Sequence, residues 1–171
     1  MNQRATYLIA AVLALTSAPG GAAEFAYDQF APSVIGTIAA DTRALNLPGT
    51  GKKVMYTATV NRVRVTVTYV GSSRPLTADE TTIVQRLAKA IPGAPAGYAE
   101  LYREAFAFDD AGRRYWLPVQ QPVASYFGKE LKVGQRLQLF ALVAGGVAEK
   151  DGAMEPVLLV QEFNSEVPQD R

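Results

Sequence analysis

A chain of 171 residues with no histidine and no cysteine lacks the usual general base near neutral pH, the commonest transition-metal ligand and every thiol. Ser–His–Asp hydrolysis, catalytic zinc of the ordinary kinds, iron facial triads, disulfides and a cysteine-borne lipid anchor are excluded with them. Seventeen basic residues against 16 acidic ones give a net charge of +1, which disfavours a strongly basic nucleic-acid binder and a protein held on membranes by charge alone.

Residues 1–23 have the form of a secretory signal peptide. Asn2, Gln3 and Arg4 make a short polar start with one positive charge, and an apolar run extends from Ala5 to about Ala18. Gly21-Ala22-Ala23 supplies small residues for cleavage before Glu24. The run is shorter than the ~20 apolar residues that span a bilayer, and no second apolar segment follows to anchor the chain. Export to the periplasm or the medium is the expectation. Removing residues 1–23 leaves 148 of the 171 residues and takes only Arg4 among the charges, so the remainder is near neutral. A chain of that length supports one domain with a real core.

Pro32 opens a stretch in which Val34, Ile35, Ile38, Ala39, Thr42 and Leu45 recur at helical spacing, predicting a helix over about 32–45. Leu47-Pro48-Gly49-Thr50-Gly51 ends it. From Val54 to Val70 the pattern is β, but the apolar set changes parity. Val54, Tyr56, Ala58 and Val60 give way after Asn61-Arg62 to Val63, Val65, Val67 and Tyr69. A straight strand has a side-chain period of two and cannot change parity. Either a hairpin at Asn61-Arg62 or a β-bulge in one long barrel strand repairs this, and both put the apolar residues on one face. Arg62 is a poor residue for the positive φ of a tight turn, which argues for the bulge.

Thr77-Ala78-Asp79-Glu80 has the capping-box form and starts the clearest helix, 77–91, with Ile83, Val84, Leu87, Ala88 and Ile91 in one apolar stripe. Pro92-Gly93 stops it. Glu104 to Phe108 and Arg113 to Val119 read as two strands around the turn Asp109-Asp110-Ala111-Gly112. Pro122 to Leu131 suits a short helix packing through Val123, Tyr126, Phe127 and Leu131. Leu137, Leu139, Ala141 and Val143 alternate in a strand that Gly145-Gly146 is expected to end. A charged connection at Glu149-Lys150-Asp151-Gly152 precedes a last strand near Val157–Phe163.

These elements predict an α+β fold, mainly β: a small OB-like or half-open barrel with two or three peripheral helices. Residues 24–163 form its single globular domain and 164–171 a polar, flexible tail.

Chemistry-bearing residues are few. Asp109 and Asp110, with Glu104 nearby, are the only acidic cluster that suggests paired-carboxylate catalysis, though Asp-Asp-Ala-Gly is also ordinary turn chemistry. Asp109, Asp110 and Asp151 match no calcium loop. Ser125 and Lys129, one helical turn apart, lack any oxyanion-hole context. No cofactor or metal is implied. Arg62 and Arg64 share one strand face, with Arg74 and Arg113-Arg114 further on, and an arginine-bearing face of a small barrel is a place for polymers to bind. Tyr98, Tyr102, Tyr115, Trp116 and Tyr126 concentrate aromatic groups in the second half. Tyr115 and Trp116 are consecutive, so one faces in and the other out.

The reading that follows is an exported, non-enzymatic binding or interaction module with Arg62, Arg64, Tyr115 and Trp116 as contact residues. Its expected partner is a protein or glycan of the cell envelope, with nucleic acid disfavoured. The alternatives are a carboxylate-dependent hydrolase of envelope polysaccharide and a structural or stress-related envelope protein.

Overall fold

The computed structural model describes residues 25–44, 54–148 and 153–167. The signal segment, the breakers Leu47 to Gly51, the charged connection 149–152 with Asp151, and the last four residues lie outside the described residues.

Among the described residues, six strands and three α-helices follow one another as β1 (Ala31–Ser33), α1 (Ile35–Ala44), β2 (Val54–Pro75), α2 (Ala78–Ala90), β3 (Tyr102–Asp110), β4 (Arg113–Gln120), α3 (Gln121–Glu130), β5 (Arg136–Ala148) and β6 (Met154–Asn164). The sheet runs β1-β2-β3-β4-β6-β5, and β5 pairs back onto β2, so five strands close a barrel and β1 lies beside it. Neighbours in the barrel are antiparallel except β4 and β6, which are parallel. This closed order, with a helix between the third and fourth barrel strands, is that of the OB fold.

Val54 to Pro75 is one strand, not a hairpin. Its register against β5 shifts between Tyr56 and Asn61, which is the bulge. The parity change marks a change of layer. Val54 and Val60 pack against an outer cluster beneath α2, whereas Val63, Val65, Val67 and Tyr69 line the barrel. The expectation of a single apolar face is therefore corrected: β2 serves two cores in turn. The predicted helix over 32–45 begins only at Ile35, because Pro32 is extended and pairs with Arg64 in parallel β1. A proline suits that position, since a short flanking strand can forgo a donor.

Gly145-Gly146 does not end β5, which continues to Ala148. A Cβ on Gly145 would overlap the Met55 carbonyl, so the glycine permits the close backbone approach with which β5 meets the start of β2. Thr77 caps α2 as expected: the Glu80 amide donates to Thr77 Oγ1 (3.2 Å), and the Thr77 amide donates to Glu80 Oε2 (2.7 Å). The β3–β4 turn is tighter than expected. Asp110 pairs with Arg113, leaving Ala111 (φ 49°) and Gly112 (φ 81°) as a two-residue turn with both φ angles positive.

Two apolar clusters hold the fold. The barrel interior contains Phe108, Leu117, Leu137, Leu139 and Leu158, with Phe127 of α3 packed edge-on to Tyr69, Phe106, Phe108 and Phe163. Outside the barrel, Ile83, Val84 and Leu87 of α2 cover Phe140, Leu142, Val157 and Leu159. Val167, beyond the expected domain end at 163, is partly buried against the barrel core.

Candidate functional site

Tyr115, Leu117 and Val119 of β4 face the barrel interior, so Trp116 faces out. Its register partner on β3 is Ala107, fully buried, whose methyl leaves width for an indole on that side of the pair. Arg74, near the end of β2, places its guanidinium 5.0 Å from the Trp116 ring centroid. The same guanidinium grips the Glu80 carboxylate through two bonds of 2.8 Å, Nη1 to Oε2 and Nη2 to Oε1. Burial pushes the Glu80 carboxyl up, but the bonds from Arg74 and from the Thr77 amide outweigh it and hold the pKa below the usual carboxylate value.

Across from this cluster, β6 presents Glu155, which accepts hydrogen bonds from both Arg113 and Arg43. Arg114 bonds Asp109 through Nε (3.1 Å) at the surface. Between the two walls lies a cleft of about 660 Å³, lined on one side by Arg74, Asp79 and Trp116 and on the other by Val147, Glu155 and Pro156. The cleft exists because β4 and β6 pair at a single position, Val119 with Val160. Pro118 on β4 and Pro156 on β6 each lack the backbone donor that a longer ladder between them would use.

Among the expected contact residues, the structure brings only Trp116 and Tyr115 to this cleft, and Tyr115 is 5% exposed with its ring in the barrel core. Burial raises its hydroxyl pKa. Arg62 and Arg64 lie on the outer face of β2 where it pairs with β5, opposite Leu142 and Phe140, and neither lines the cleft. The arginines that do are Arg74, Arg113 and Arg114. Asp79 and Glu80, read in the sequence only as helix-start residues, also belong to it.

Elsewhere the sequence candidates disperse. Glu104 and Asp109 are five positions apart on β3, about 16 Å along a strand, beyond the spacing of carboxylates that share a glycosidic bond. Tyr98 and Tyr102 are buried with Gln120 and Gln161 in a hydrogen-bonded network, where Gln120 Nε2 donates to Tyr102 Oη at 3.0 Å and Gln161 Nε2 to Tyr98 Oη at 3.2 Å. Neither tyrosine lines the cleft. Ser125 Oγ donates to the Pro122 carbonyl (2.7 Å), and Lys129 sits over the Tyr126 ring, so they form no dyad. Among the described residues no three His, Cys, Asp or Glu side chains gather as a metal site, and no helix is long and apolar enough to cross a membrane.

No protein-family model matches the chain, and no curated protein matches its sequence. Among solved structures, the chain is similar to the mitochondrial single-stranded DNA-binding protein Rim1 of S. cerevisiae. The two share 12% identity over 62% of this chain and 94% of that one, with a TM-score of 0.34. The OB assignment rests on strand order and register, and a likeness this distant says nothing of ligand.

Proposed function

We propose that this protein is an exported, non-enzymatic binding module that takes an extended ligand across the outer face of its barrel, into the cleft beside Trp116. The observation that carries the reading is the half-buried indole in a cleft where α2, β4 and β6 meet. An outward aromatic ring flanked by hydrogen-bonding charged groups is what a site for a polymer of rings requires. OB barrels bind oligosaccharides and oligonucleotides on the corresponding strands and loops. Export follows from the signal-like residues 1–23, and the partner is then a component of the envelope or the medium.

Single-stranded nucleic acid is the second reading, favoured by Arg74 over Trp116 and by Arg113 and Arg114 on the same cleft. The near-neutral chain weighs against it.

Trp116 is the only tryptophan in the chain, so its fluorescence reports on the cleft directly. Titration with neutral hexasaccharides, a heparin hexasaccharide and dT15 is expected to give a saturable change with at least one class. Trp116→Phe should weaken that binding by calorimetry, because a phenyl ring offers a smaller stacking face than an indole and no ring N–H. Binding indifferent to Trp116→Phe moves the site elsewhere, and no binding by any class contradicts the reading. Export is checked by expressing the full chain in a bacterium: the product should leave the cytoplasm and begin at Glu24.

A further inference from the structure

Within that binding reading, on which this inference rests, we infer that the cleft ligand is a neutral oligosaccharide. Among the described residues, every arginine that lines the cleft already holds a carboxylate: Arg74 holds Glu80, Arg113 shares Glu155 with Arg43, and Arg114 holds Asp109. A polyanion gains affinity by setting its phosphates or sulfates against free cations and releasing counterions, and here it must first displace carboxylates. The most enclosed of these pairs, Arg74 with Glu80, is bonded through both guanidinium nitrogens and is tied to the start of α2 by the capping box.

Among the described lining residues, the charge left uncommitted is negative. Asp79 lines the cleft, half-buried, and its side chain forms no hydrogen bond or ion pair among the described residues. An ionised carboxylate accepts from up to four hydroxyl donors and repels phosphate. Trp116 supplies the complementary half: the apolar C–H face of a pyranose stacks on an indole while its equatorial hydroxyls reach outward to acceptors at the rim. A volume of about 660 Å³ falls within the range of sites that enclose a ligand of a few rings. Ring stacking plus an uncommitted acceptor, with each lining arginine among the described residues already bonded to a carboxylate, is the recognition chemistry of an uncharged sugar.

The test uses maltohexaose, cellohexaose and N-acetylchitohexaose as neutral probes, with dT15 and a heparin hexasaccharide as polyanions. Each is titrated by calorimetry into the wild-type protein, Asp79→Asn and Trp116→Phe at low and moderate salt. At least one neutral sugar is expected to bind with an affinity nearly independent of salt, falling about tenfold in Asp79→Asn, the loss of a hydrogen bond to a charged group, and falling also in Trp116→Phe, whose ring offers a smaller stacking face. Asp79 is in the first turn of α2 and not in a core cluster, so its asparagine variant should keep the wild-type unfolding midpoint, which far-UV CD verifies. Binding of dT15 or heparin alone, weakening steeply with salt and unchanged or strengthened by Asp79→Asn, leaves the binding reading standing and overturns the neutral-sugar assignment. Sugar binding indifferent to both substitutions also overturns it. Failure of all five probes overturns the inference and the binding reading together.

Discussion

Arg74 and Glu80 face each other through two hydrogen bonds of 2.8 Å, and this pair joins the end of β2 to the first turn of α2 while setting a guanidinium over Trp116. Glu80 is 5% exposed, so its charge depends on Arg74 and on the Thr77 amide for compensation. Arg74→Met removes the cation and leaves the carboxylate. A loss of about 2–3 kcal/mol is expected, below the full cost of breaking a buried pair because the arginine is partly solvated. Urea unfolding measures it, and the Trp116 emission of the folded variant should shift as the guanidinium leaves the ring.

The same pair sets a pH dependence. The folded Glu80 carboxyl lies below its ordinary value of 4.5, so the folded state binds its proton less readily than the unfolded chain does. Its contribution to stability is complete above about pH 5 and is lost as the pH falls through the folded value. In Glu80→Gln that contribution is absent at every pH. The wild type should therefore be the more stable at pH 7, with the gap closing toward pH 3. A gap independent of pH contradicts the assignment.

Glu162 behaves in the opposite sense. Burial pushes its pKa up, Glu130 adds like charge, and the bond its Oε1 accepts from the Phe163 amide (2.9 Å) offsets them only in part. The folded state binds this proton more readily than the unfolded one, so the ionised group costs stability at neutral pH and the cost disappears as the pH falls toward 4.5. Glu162→Gln should raise the urea midpoint at pH 7.5 and leave it unchanged near pH 4, where both side chains are neutral.

Ala111 occupies a positive-φ position that costs an L residue about 1–2 kcal/mol, and asparagine tolerates it better. Ala111→Asn should stabilise the β3–β4 hairpin by about 0.5–1 kcal/mol, read as a higher melting temperature. Gly145→Ala should do the reverse, by about 3 kcal/mol, because its methyl meets the Met55 backbone and no side chain there can yield.

Local chemistry made much of this fold legible. The Thr77/Glu80 capping box, the β3–β4 turn and the alternation that turns Tyr115 in and Trp116 out are short-range signals, and the structure follows them. The parity change at Asn61-Arg62 was also visible, but not its meaning. Deciding that Val60 serves the outer core and Val63 the barrel requires knowing that α2 returns to cover β5 and β6, a long-range fact. For the same reason Arg62 and Arg64 stand out in the sequence as a pair on one strand face, while the arginine that reaches Trp116 is Arg74, brought there by the pairing of β2 with β3. Pro118 and Pro156 were the available clue to the cleft: prolines inside apolar strands mark edges without a ladder partner. Read together, they point to the splay between β4 and β6.

The claim that the Trp116 cleft is the binding site is tested most directly by amide and indole chemical-shift mapping of the isotope-labelled protein, titrated with the tightest-binding neutral hexasaccharide. The account predicts saturable shifts at the Trp116 indole N–H and the amides of Asp79, Val147 and Glu155, with Arg62 and Arg64 unmoved. Shifts centred on Arg62 and Arg64, or none at the Trp116 indole, would contradict it.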